Sequence, residues 1–330
     1  MTKICKFDKM PSQRYLEILN RNDLEVTLEA EKWEVYFPLT DKSEGNQLIG
    51  LERIKAKHIG VVTGTDCLIN RSLVWINLVN SLGRQEASSI MPETFVLSNK
   101  KDLRRLKSDS RNHFILKNNR HRRQGLLLAA SVEQVLDEKD KYDVVQPLIT
   151  NLKRYKGASF NLRVYLLLTL HENELKAYIY YEGVCVYGKS PEKGIAFFDR
   201  MVTHARNGIP QGFPELMSDL LEELEINYQT FFLSLSLKIN KLLDSAVHQF
   251  GKLENLEQAH CFQVFGVDIL MDTNNTPIIC EVNKGPSMKS KNENHGNLKN
   301  EMLEDMLSVV GLRGVENEGF IESSSWKIIK

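Results

Sequence analysis

The 330-residue chain lacks any uncharged apolar run near the ~18 residues a membrane helix needs, its longest runs, 164–170 and 126–130, being strand-sized. No membrane association is therefore expected, and the protein should be soluble. At the amino terminus, MTKICKFDKMPSQRYLEI, charge interrupts each apolar stretch before it reaches signal-peptide length, so no secretory route is expected. Cysteine is scarce: Cys5, Cys67, Cys185, Cys261 and Cys280 are odd in number, scattered, and without the CxxC spacing of a zinc site. They read as reduced thiols of a cytoplasmic protein. Net charge is absent too, with 43 Lys+Arg against 43 Asp+Glu, which excludes a generally basic nucleic-acid coat. There is no repeat and no low-complexity tract, and nothing indicates self-association, so a monomer is expected. What remains is ordinary globular composition, long enough for two or three units that each bury a core.

The charge is uneven despite its zero sum. Between Lys100 and Arg123 stand ten Lys/Arg and two acids, Asp102 and Asp109, with Phe114 the only aromatic. Such a run is a solvated face, a nucleic-acid surface or part of an anion site. Short strands at 33–37 and 58–62 precede a helix over 70–82. After Pro92 a strand leads to Ser98, a possible cap for the basic helix that follows. HFILKN and GLLLAA read as a hairpin around 119–124, and DVVQPLI as a buried strand broken by Pro147. SFNLRVYLLLTL alternates and then becomes continuously apolar, as in a strand covered on both faces. ELKAYIYYEGVCVYG reads as two strands around Glu182-Gly183. The segment 215–250 is helical, with Leu235, Ile239, Leu242, Leu243, Ala246 and Phe250 on its core face.

The stretch CFQVFGVDILMDTNNTPIICEVNKGPS, residues 261–287, carries the chemistry. A turn at Asn274-Asn275 sets Asp268 opposite Glu281, and side-chain alternation puts Asn283 on the same face as Glu281. Like charges facing each other across strands are unfavourable unless something positive lies between them. A hard divalent cation such as Mg²⁺, completed by phosphate oxygens, suits that donor set. The plainer alternative is two unrelated surface acids. Against it, Val267, Ile269, Ile278, Ile279 and Val282 make the hairpin's other face apolar, leaving the acids in a cleft.

Phe265 to Leu270, Pro277, Glu281-Val282-Asn283 and Pro286-Ser287 resemble the magnesium-binding end of the tubulin tyrosine ligase-like family. Further segments resemble it in order: 70–84 with Met91 to Phe95, Ile115-Leu116-Lys117 with 122–127, Val144 to Ile149, Phe160 to Tyr165, and Leu298 through Asp305 to Gly311. The likeness spans about 58–311 and leaves 1–57 unplaced. It implies an α+β, ATP-grasp fold that holds nucleotide between two α+β units, with a small N-terminal α/β domain. The divisions are then 1–90, a central subdomain 91–147 with the phosphate hairpin and hinge, and 148–330 with the metal hairpin. It further implies an ATP- and Mg²⁺-dependent carboxylate–amine ligase that joins a free amino acid to a protein or peptide through an acyl-phosphate. Tubulin is the family's best-known acceptor. No nucleic acid partner is implied.

By the same resemblance, Lys117 reaches the phosphates, Arg122 and Arg123 before Gly125 close over them, and Gln146, Pro147 and Leu148 form the adenine hinge, mainly through backbone. Thr203 and Cys280 lie on the nucleotide side. Asp268, Glu281 and Asn283 hold the metal, and Glu281 and Asn283 join Arg163 in catalysis. Arg163 either stabilises the acyl-phosphate or is a structural salt-bridge partner. The departures are Ser159 and Asn161 in place of the family's Lys and Asp, His204 after Thr203, and Val186 in place of an arginine that grips the amino acid. Lys153, Lys156 or Lys189 are candidates to restore the missing charge, and Val186 weakens glutamate as the transferred residue. These departures keep open a second class, a degenerate member that binds nucleotide or a partner without ligating. Nucleic-acid binding by the basic run is a third reading.

Overall fold

The computed structural model describes residues 2–28, 33–38, 57–119, 126–188, 208–251, 259–289, 292–313 and 325–330. The N-terminal strands β1 (Lys3–Phe7), β2 (Leu24–Thr27), β3 (Val35–Phe37) and β4 (His58–Ile59) pair in parallel, and α1 (Gln13–Arg21) connects the first two. Helices α2 (Asp66–Ile69), α3 (Arg71–Leu82) and α4 (Arg84–Ile90) follow. Asn70 caps α3 by accepting from Ser72 and Leu73 N–H at 3.1 and 3.0 Å.

A four-stranded sheet comes next: β5 (Phe95–Val96), β6 (Phe114–Lys117), β7 (Leu126–Ala129) and β8 (Val144–Pro147), in the order β5-β8-β6-β7. Helices α5 (Lys100–Lys107) and α6 (Val132–Glu138) close it over a cluster of its own that includes Phe95, Leu106, Phe114 and Val135. The cap of α5 is Asn99, whose carboxamide accepts from Lys101 N–H at 2.9 Å, and not Ser98. The helix begins at Lys100, so Asn99 holds the position whose side chain reaches the free amides of the first turn.

The remaining chain builds the larger sheet from β9 (Arg154–Tyr155), β10 (Ala158–His171), β11 (Glu174–Tyr187), β12 (His260–Met271), β13 (Pro277–Lys284) and β14 (Trp326–Ile328). Its helices are α7 (Met217–Glu223), α8 (Tyr228–Ala246) and α9 (Glu293–Val309). Strand order is β14-β11-β10-β12-β4-β3-β1-β2, with β13 on β12 and β9 on β10. The N-terminal strands thus extend the same sheet through the parallel β4–β12 pair. We propose that residues 91–147, with their own sheet and core, move as a unit against this larger body.

The long apolar run of β10 is buried on both faces, as its sequence predicts. Leu162, Val164, Leu166 and Leu168 meet α3 and α8, while Tyr165 and Leu167 meet α1 and α9. The core face of α8 is the expected one over Leu235, Ile239, Leu242, Leu243 and Ala246, whereas Phe250 lies beyond the helix and is half-buried.

Two sequence expectations are corrected. Residues 174–187 form one strand, not two, with a register shift between Val164↔Gly183 and Leu166↔Ile179. Glu182 makes the irregularity tolerable by accepting from Gly183 and Ser218 N–H at 2.8 and 3.1 Å. The segment 215–250 is two helices, because the chain turns through Glu225 at φ 55° and restarts where Asn227 accepts from Thr230 N–H at 2.9 Å.

At the far edge of β12, His260 stacks on His171 at 3.7 Å between ring centres and on His58 at 5.1 Å. Burial first, then His260, push His58 down from 6.5 to about 4. Because the folded state binds the proton less well than the unfolded chain, this stability is present above pH 6.5 and lost as pH falls toward 4. Thermal melts should therefore fall by a few degrees between pH 7 and pH 5, of the order of 1–2 kcal/mol. His58→Gln should flatten that slope.

Candidate active site

Strands β12 and β13 pair Phe265↔Lys284, Gly266↔Asn283, Val267↔Val282 and Asp268↔Glu281, so the two acids face each other as expected. The register then slips by one, to Ile269↔Ile279, and leaves Cys280 as the extra residue of a bulge. The turn is an Asx turn, with Asp272 accepting from Asn274 and Thr276 N–H at 2.9 and 2.8 Å. Val267, Ile269, Ile279 and Val282 are buried in the core behind, and Ile278 is half-buried.

Arg163 stands opposite Asp268 on β10 and grips it with a fork: Nε donates to Oδ1, and Nη2 to Oδ2 at 2.8 Å. The structural salt bridge anticipated as one reading of Arg163 is thus formed. It requires Gly266, where a Cβ would lie 2.9 Å from Arg163 Cδ and 3.0 Å from Nη1. Gly266→Val is expected to push the guanidinium off Asp268 and cost activity about tenfold, read as phosphate release beside a thermal melt. Asn283 Nδ2 donates to Asp268 Oδ2 at 3.1 Å and to Glu281 Oε1 at 3.3 Å. Burial, ahead of the opposing effect of Arg163, pushes Asp268 above the usual carboxylate range, and Glu281 adds to the rise.

Arg71 is the residue sequence reasoning missed. Its Nη2 donates to Glu281 Oε2 and its Nη1 to Asn118 O at 2.6 Å, joining α3, the end of β6 and β13. A signal for it existed: a cation in the first helical position, directly after the cap Asn70, is unfavourable beside the helix dipole unless an anion faces it. Asn119 supports the same junction by accepting from Ser72 N–H and Oγ–H at 2.9 and 3.0 Å.

Lys117 ends β6 only 9% exposed, with no carboxylate at ion-pair distance among the described residues. Its charge is felt at Cys280: burial mainly raises that thiol, while Lys117 and Arg71 pull it down. The end of β6 that carries Lys117 therefore lies near the acids, joined to Glu281 through Asn118 and Arg71. Gln146 turns its side chain inward to Thr94 Oγ1 at 2.8 Å and lies within β8, paired with Ile115 of β6, while Leu148 N–H is committed to His113 O at 2.9 Å.

Lys153 clasps the hairpin turn by donating to Asn275 Oδ1, and Lys156 lies over the Tyr155 ring at 4.8 Å, so both have structural partners. Ser159 and Asn161 are buried, and Asn161 Oδ1 has no hydrogen-bond partner among the described residues. Val186 pairs with Asn161 across the strands. Arg122, Arg123, Gly125, Lys189, Thr203 and His204 lie outside the described residues. The basic run is not one feature, since Lys100–Lys107 form α5 with its cations exposed while Lys117 is buried at the end of β6.

The acidic end offers oxygen donors alone. Among the described residues no cluster of three His, Cys, Asp or Glu could hold a metal, so a cation here would use Asp268, Glu281 and the Asn283 carboxamide. Opposed carboxylates with one pushed toward its neutral form fit a hard divalent ion, for which Asn283 would present oxygen in place of its amide nitrogen. Both acids carry an arginine at present. Among the described residues, no helix is long and apolar enough to cross a membrane.

The model of the Tubulin-tyrosine ligase family matches residues 56–193 and 216–317. The chain belongs to this family. Its fold is accordingly the ATP-grasp, with the α+β content described above. Among similar proteins is the Tetrahymena thermophila "Probable alpha-tubulin polyglutamylase Ttll1", 28% identical over 189 residues, covering 54% of this chain and 45% of the relative. Another is the Caenorhabditis elegans "Probable tubulin polyglutamylase ttll-9", 28% identical over 192 residues, covering 53% and 45%. The mouse "Tubulin monoglutamylase TTLL4" is 24% identical over 341 aligned positions that take in 94% of this chain and 28% of the relative. The chain thus spans less than half the length of these family members.

Proposed function

We propose that the chain is an ATP- and Mg²⁺-dependent ligase that joins a free amino acid to a carboxylate of a protein or peptide, acting in the cytoplasm with tubulin as the acceptor to test first. One observation carries the reading: Asp268 and Glu281 oppose each other with Asn283 between them, Arg163 forked on Asp268, and Lys117 buried at the end of β6 with no ion-pair partner among the described residues. In this reading the acceptor carboxylate takes the γ-phosphoryl group of ATP, ADP leaves, and the amino group displaces phosphate to form the amide. Positioning and charge neutralisation suffice for both steps. Lys117 holds phosphate oxygens, with Arg122 and Arg123 assigned to the same phosphates, and Thr203 to the nucleotide. Gln146, Pro147, Leu148 and Cys280 frame the base. Arg163 opposes charge developing on the acyl group. Mg²⁺, when bound by Asp268, Glu281 and Asn283, supplies neutralisation of phosphate charge.

A second reading rests on the two arginine contacts. With Arg163 on Asp268 and Arg71 on Glu281, both acids are neutralised without a metal, as suits a nucleotide- or partner-binding module. Thermal melts with ATP and Mg²⁺, beside a phosphate-release assay across the twenty amino acids and a tubulin-tail peptide, separate the two. Release stimulated by one amino acid supports the ligase. Stabilisation by ATP without release under any condition supports the module.

A further inference from the structure

Arg71 occupies a position that opposes it. It opens α3, where the helix dipole disfavours a cation, and its Nε is buried with no hydrogen-bond partner among the described residues. The helix itself is fixed, with Val74, Trp75 and Leu78 buried in the core. A neutral residue after the cap would suit the helix better, and a buried ion pair is in general weak support for a fold. What the arginine gains lies at its far end.

The two acids are held differently there. Arg163 takes both oxygens of Asp268 from the neighbouring strand β10, whereas Arg71 places one nitrogen, Nη2, on one oxygen of Glu281, Oε2. A divalent cation on Glu281 meets Arg71 as a competitor, and a contact through one nitrogen yields where a fork resists. Arg71 is not cast loose by that exchange, because its Nη1 donates separately to Asn118 O at 2.6 Å.

Asn118 follows Lys117 at the end of β6. The next residue, Asn119, accepts from Ser72 N–H and Oγ–H at 2.9 and 3.0 Å and donates its own N–H to Asp143 Oδ2 at 2.7 Å. The start of α3 thus grips the Lys117 end of the central sheet, which has a core of its own, and Arg71 carries that grip on to Glu281.

We propose that Arg71 is a positioning residue that stands in for the cation on Glu281, so that loading the metal site releases β13 from the Lys117 end of the central sheet. The proposal rests on the ligase reading only in its assignment of a divalent cation to Asp268, Glu281 and Asn283.

The test is Mn²⁺ binding to the full chain without nucleotide, read by the electron paramagnetic resonance of free Mn²⁺, with thermal melts beside it. Arg71→Gln should bind Mn²⁺ about 3- to 10-fold more tightly than the parent, because a competing positive charge is gone. Mn²⁺ should accordingly raise the melting temperature of this variant more than that of the parent. Combining Arg71→Gln with Glu281→Gln should erase the gain. Equal or weaker affinity in Arg71→Gln, with the melting temperature lowered alike with and without Mn²⁺, is what a purely structural arginine gives. That result overturns the proposal and leaves the metal site standing, whereas no Mn²⁺ bound by either chain overturns both. Should Arg71→Gln fail to fold, the unaltered chain supplies the measurement. Its residues 117–119, followed by hydrogen exchange and mass spectrometry, should exchange about threefold faster at saturating Mg²⁺, and unchanged exchange overturns the proposal.

Discussion

Glu281→Gln is expected to lower amino-acid-dependent phosphate release by about 100-fold or more while moving the melting temperature by only a few degrees. The substitution preserves volume and a hydrogen-bond acceptor for Arg71, which now donates to Glu281 Oε2. It also removes one of two opposed carboxylates, which relieves repulsion in the unliganded protein. What it takes away is half the negative charge available to a divalent ion. Calorimetric titration of ATP with Mg²⁺ should show affinity for the metal-nucleotide falling with activity. Full turnover in this variant would remove Glu281 from the metal site.

Arg163→Ala has the larger effect on stability. Asp268 is 6% exposed and accepts two donors from Arg163, with Asn283 a further hydrogen-bond donor at 3.1 Å. Removing the guanidinium strands a buried carboxylate that burial already pushes toward its neutral form, at a cost of about 3–5 kcal/mol. Adding Asp268→Asn should recover part of the loss, giving a coupling of about 1–3 kcal/mol in a double-mutant cycle read by urea denaturation. Additive losses would mean that the pair contributes nothing as a pair. Activity should fall in both variants and not be recovered in the double one, because Asp268 is assigned to the metal and Arg163 to the reacting acyl group. Recovery of stability without activity distinguishes a pair that serves the chemistry from one that serves the fold alone.

What the sequence made legible was local. The opposition of Asp268 and Glu281 follows from a short turn and period-two alternation, and the burial of β10 on both faces follows from its unbroken apolar run. The core face of α8 follows from its helical spacing. The misses depend on contacts distant in sequence. Cys280 is bulged where the hairpin's two ends keep different registers, and no residue within the hairpin signals it. The single strand through Gly183 persists because Ser218, from a separate helix, shares the Glu182 carboxylate with Gly183 itself. Arg71 reaches Glu281 across 210 residues. The N-terminal strands join the main sheet through the two-residue strand β4, too short to read as a link.

The central claim is that this cleft makes an amide at the expense of ATP. Its most direct test is mass spectrometry of a carboxylate-bearing tubulin-tail peptide incubated with the protein, ATP, Mg²⁺ and each amino acid in turn. The account predicts a gain of one amino-acid residue mass, matched by ADP, absent without ATP and absent with Glu281→Gln. A protein that binds ATP yet adds no mass to the peptide and forms no ADP with any amino acid would contradict it.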